Sequence, residues 1–90
     1  MLVALIARDK PENLQVRLDN RDAHLAYIKE TGVVAQAGPL MDQDGKMVGS
    51  LIILDVEDMA AAQAWADSDP YAKADLFETV DLITWKKVIG

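Results

Sequence analysis

The sequence predicts an α+β fold whose elements run β-α-β-β-α-β. Three observations carry the prediction. Apolar runs of strand length stand near both ends of the sequence. Helical spacing of apolar residues extends through 12–31 and again through 58–68. Between them, an Asp-Gly turn at Asp44-Gly45 divides two further apolar runs into a hairpin. That order is the ferredoxin-like arrangement, a four-stranded antiparallel sheet with the helices on one face.

The elements follow in turn. Leu2-Val3-Ala4-Leu5-Ile6-Ala7 reads as a buried strand over 2–8, ended by Arg8-Asp9-Lys10-Pro11. The first helix is expected over 12–31, with Gly32 as the residue that stops it. A second strand covers 33–40, and Gly38-Pro39 falls near its end, where a missing N–H is tolerated. The third strand covers 46–56. Glu57 or Asp58 starts a helix over 58–68 that carries Met59, Ala62, Trp65 and Ala66. Asp69 is placed as the N-cap, and Pro70 as the first residue, of a short helix ending near Asp75. The last strand is expected over 77–88.

The first helix carries an anomaly. At about 100° per residue, Leu14, Leu18, Leu25 and Ile28 form one apolar stripe, and Arg21 falls inside it. Arg17 and His24, the only histidine, lie along one edge. A helix packed on a core does not place a guanidinium in its buried face without a reason. Two readings fit. In one, a polar cavity lies beneath the helix and receives Arg17, Arg21 and His24. In the other, the arginine snorkels to water and the imidazole fills space.

Composition narrows the possibilities. Ninety residues with 51% apolar content suit one folded domain of modest core. A net charge of −6 and a pI near 4.5 argue against nucleic acid and against an anionic membrane surface. There is no cysteine, which removes disulfides, thiolate nucleophiles and thiolate metal sites. With one histidine and no carboxylate cluster, no metal site is expected. The first eight residues are too short for a signal peptide or a membrane span, so a cytoplasmic location is expected. Strands apolar on both sides need cover on both faces, and a second copy of the chain is the simplest cover.

Several stretches, in order, resemble the YCII-related family. They are Ala7-Arg8-Asp9, the segment Arg17 to Leu25 with Arg21 and His24, Ala37-Gly38-Pro39, Gly49-Ser50, Ala61-Ala62-Gln63-Ala64-Trp65-Ala66, Asp69-Pro70-Tyr71 and Trp85-Lys86-Lys87-Val88. The chain has only Asp42 to Lys46 where some relatives carry a longer insertion. The resemblance implies a single domain over 1–90 and a dimeric α+β barrel related in architecture to muconolactone isomerase. It also implies a His–Asp pair, carried here by His24 and Asp69. The chemistry characterised in the family is chloride elimination from a hydroxylated ring; that substrate is not carried over to this chain.

A His–carboxylate pair is an acid–base device, because the carboxylate fixes the tautomer and supports the charge when the ring takes a proton. Arg21 and Arg17 are candidates to hold a carboxylate, phenolate or enolate. Ser50 and Tyr71 are candidates for neutral hydrogen bonds. The expected activity is cofactor-free proton transfer, isomerisation or elimination on a small anionic or phenolic molecule. The alternatives are a non-catalytic small-molecule binding module and an accessory dimeric subunit. No Gly-rich phosphate loop or dinucleotide fingerprint is present. A Ser–His–Asp arrangement through Ser50 lacks a nucleophile-elbow sequence. Each residue also has a plainer role: Asp69 as a cap, Tyr71, Trp65, Phe77 and Trp85 as core or interface, and Arg8-Asp9-Lys10 as a solvated turn.

Overall fold

The computed structural model describes residues 1–90. Its elements are β1 (Leu2–Asp9), α1 (Leu14–Thr31), β2 (Val34–Met41), β3 (Met47–Asp55), α2 (Met59–Ser68), α3 (Pro70–Lys73) and β4 (Phe77–Trp85). The strands form one antiparallel sheet in the order β2-β3-β1-β4. This is the ferredoxin-like topology, and the β2–β3 hairpin is antiparallel as its Asp-Gly turn requires.

The helix-covered side of the sheet holds the core. Val3, Leu5 and Ala7 of β1 and Ile52 and Leu54 of β3 pack with Ala62, Trp65 and Ala66 of α2. Strand alternation puts these residues on one face and leaves Leu2, Ala4 and Ile6 on the other. That second face has no helix. Leu51, Ile83 and Trp85 are exposed there, and pairing places Ile83 opposite Ala4 and Trp85 opposite Leu2.

Element ends differ from the sequence-based expectation for local reasons. Helix α1 begins at Leu14 rather than at residue 12, because Glu12 has φ 61°, outside the helical region. Strand β4 stops at Trp85 rather than at residue 88. Trp85 pairs with Leu2, so β1 offers no further residues to extend the ladder. Gly32 does stop α1, with φ 66° and its N–H donating to the Ile28 carbonyl.

Two polar assignments are corrected. Asp9 is not part of a solvated turn; it closes β1 with its side chain buried against Arg17. The buried face of α1 is also turned by roughly 75°, at about 100° per residue, from the expected leucine stripe. Arg17 and His24 are 2% and 6% exposed, whereas Leu18 and Leu25 are 46% and 47% exposed. The helix buries its polar edge because Arg17 and His24 both find carboxylate partners beneath it, which offsets the cost of removing them from water.

Candidate functional site

The site lies between α1, the β2–β3 end of the sheet and α3. Helix α1 supplies Arg17, Arg21 and His24. Strand β3 supplies Ser50, brought close to β1 because Gly49 has no side chain: a Cβ there would run into the Ala7 carbonyl oxygen. The α2–α3 junction supplies Asp69 and Tyr71. Asp69 caps α3 through Oδ1, which accepts from the Tyr71 N–H at 3.0 Å. The same oxygen lies 2.7 Å from Nδ1 of His24. One carboxylate oxygen thus both starts the short helix and holds the imidazole.

This pair is buried, with Asp69 1% exposed. An ionised carboxylate only accepts, so Nδ1 carries the ring proton in this contact. Nε2 makes no hydrogen bond to protein, and His24 lines a cavity of about 160 Å³. The other carboxylate oxygen, Oδ2, is buried without a partner.

A second network adjoins the first. The Arg17 fork donates from Nε to Asp9 Oδ2 at 2.7 Å and from Nη2 to Asp9 Oδ1 at 2.8 Å. Nη2 also donates to Ser50 Oγ at 3.0 Å. Tyr71 joins the two networks. Its ring stacks on His24 with centroids 3.9 Å apart, and the Arg17 Cζ lies 4.6 Å from its centroid. Arg17 and His24 are seven residues apart, about 10.5 Å along a helix, which is room for one ring between two planar groups. Burial pushes the Tyr71 phenol above its ordinary 10.0, and Asp69 adds to this; Arg17 and Arg21 pull it back. The phenol is therefore protonated at neutral pH and can donate.

All six residues singled out from the sequence come to this place. Arg17, Arg21, His24, Ser50 and Tyr71 line the cavity, and Asp69 stands behind His24. Ser50 bonds to Arg17 rather than to His24. Arg21 is exposed and pairs with no carboxylate, unlike Arg17. The apolar wall comes from Leu25, Ile28, Pro39, Met47 and Ile52. Sequence reasoning missed Asp9. The available signal was Arg17 itself, since a buried guanidinium requires a carboxylate partner.

Comparison with known proteins agrees with this architecture. The YCII-related domain matches residues 1–86. The chain belongs to the YCII-related family. Among YCII-related proteins, it is 39% identical to Protein YciI of Escherichia coli O6:H1, with 98% of this chain and 99% of that protein aligned. It is 32% identical to an uncharacterized protein of Haemophilus influenzae over the same shares. Among solved structures, it resembles 5-chloro-2-hydroxyhydroquinone dehydrochlorinase (TftG) from Burkholderia phenoliruptrix AC1100, in complex with 2,5-dihydroxybenzoquinone. The TM-score is 0.87 at 34% identity, covering 96% of this chain and 94% of that one. Rv0793 from Mycobacterium tuberculosis shares the fold alone, with a TM-score of 0.60 at 18% identity and complete coverage of both chains.

Proposed function

We propose that this protein is a small acid–base enzyme acting on a single-ring anionic or phenolic molecule. His24 Nε2 takes a proton from the substrate and returns it, while Asp69 holds Nδ1–H and stabilises the imidazolium formed in between. Tyr71 keeps the imidazole plane fixed by stacking and donates its phenol hydrogen. Arg21 receives a carboxylate, phenolate or enolate oxygen at the rim. These side chains suffice for proton transfer, isomerisation or elimination, so the reading calls for no cofactor.

The observation that carries this reading is the buried 2.7 Å contact of His24 Nδ1 with Asp69 Oδ1, with His24 on the cavity wall. Cavity size supports a small ligand: about 160 Å³ compares with a dry cavity of about 150 Å³ that holds benzene. The likeness to TftG, crystallised with a dihydroxybenzoquinone, supports the same class. The working unit in this proposal is a homodimer joined through the open sheet face, where Leu51, Ile83 and Trp85 are exposed.

The test is turnover of a panel of hydroxylated aromatics and lactones by the protein and by His24→Ala. The proposal expects turnover that His24→Ala abolishes. Binding of 2,5-dihydroxybenzoquinone with no turnover of any panel member would instead make the protein a binding module.

A further inference from the structure

Two guanidiniums face the cavity, but they are not equivalent. Arg17 is buried, and its charge is met by a bidentate contact with Asp9. Its third hydrogen bond goes to Ser50, and its plane lies against Tyr71. Arg21 is exposed at the rim and has no carboxylate partner. Asp69 supplies the other charge near the cavity, and it is engaged with His24. Asp9 does not line the cavity; it stands behind Arg17.

We propose that Asp9 is a specificity-determining positioning residue: it withholds Arg17 from the ligand and makes Arg21 the anion receptor of the site. A guanidinium bound in both prongs of its fork has little charge left to offer and no freedom to turn toward a ligand. It serves instead as a fixed shelf for Tyr71 and a donor to Ser50. The ligand's ring then lies among the apolar wall residues with its anionic group outward, at Arg21. This inference rests on the reading of the cavity as a ligand site.

The experiment titrates benzoate into the protein and follows the ring signals of His24, the only imidazole, by NMR. Benzoate pairs a six-membered ring with one carboxylate. Arg21→Gln, a change at an exposed position, weakens benzoate by about tenfold or more, the scale of a lost charge-assisted bidentate contact. Asp9→Asn frees the Arg17 charge and tightens benzoate by about tenfold. Combined with Arg21→Gln, it restores the lost affinity. A purely structural role for Asp9 would give only a loss. Unchanged affinity in Arg21→Gln, or weaker affinity in a folded Asp9→Asn, overturns the proposal. If Asp9→Asn does not fold, Asp9→Ser takes its place with the same expected gain and the same overturning result. Absence of benzoate binding to all the proteins tested instead removes the ligand-site reading, and this inference with it.

Discussion

The ring of Tyr71 lies parallel to that of His24, with centroids 3.9 Å apart and planes inclined by 16°. This contact joins the two halves of the site. On one side, Asp69 holds His24 and caps the helix that carries Tyr71. On the other, Asp9 holds Arg17 against the same phenol ring. Rotation of the imidazole would break both its contact with Asp69 and its stack on Tyr71.

The stacked phenol has a measurable pH signature. Burial is the main reason that both tyrosines, Tyr27 and Tyr71, have pKa values raised above 10.0 in the folded protein. Below pH 10 both folded and unfolded chains keep their phenols protonated. Above it the unfolded chain ionises first, so stability falls as pH rises until the folded phenols ionise too. Tyrosinate absorbance should therefore rise at higher pH in the native protein than in denaturant. Tyr71→Phe should show a shallower loss of stability above pH 10 in denaturant titrations.

Gly49 is the tightest point of the scaffold under Ser50. A Cβ there meets the Ala7 carbonyl oxygen and crowds the Leu40 side chain. Backbone cannot yield as a flexible side chain does. Gly49→Ala should destabilise the protein by about 1–3 kcal/mol, the usual cost of overpacking. Urea unfolding checks this, and a midpoint equal to the parent's would show that β1 and β3 move apart freely.

The open sheet face predicts the mass in solution. Light scattering or sedimentation at micromolar concentration should report about twice the 9.9 kDa chain mass. A charge on this face, as in Leu51→Glu or Ile83→Glu, should shift the species toward the single chain. A monomeric parent protein would remove the homodimer from the proposal.

The fold could be read in the sequence because its signals are local. Leu2 to Ala7 is an unbroken apolar run of strand length, Asp44-Gly45 turns a hairpin, and Gly32 ends a helix within its own neighbourhood. The site could be read only in part. His24 and Arg17 stood out as polar groups on the edge of an apolar stripe, but their partners lie 45 and 8 residues away. Periodicity carries no information about such pairs, so Asp69 came from resemblance and Asp9 was missed. The rotation of α1 has the same origin. Counting leucines placed Leu18 and Leu25 inward, whereas the ion pairs beneath the helix decide which face is buried.

The central claim is that Asp69 holds Nδ1–H of His24 and leaves Nε2 as the base facing the cavity. Nitrogen-15 NMR of the single histidine tests it most directly, because the two ring nitrogens of each neutral tautomer resonate far apart. The account predicts the Nδ1-protonated tautomer in the neutral ring, with a downfield, hydrogen-bonded Nδ1 proton that disappears in Asp69→Ala. A neutral ring protonated on Nε2, with the same spectrum in Asp69→Ala, would contradict it, and His24 would lose its role as the base.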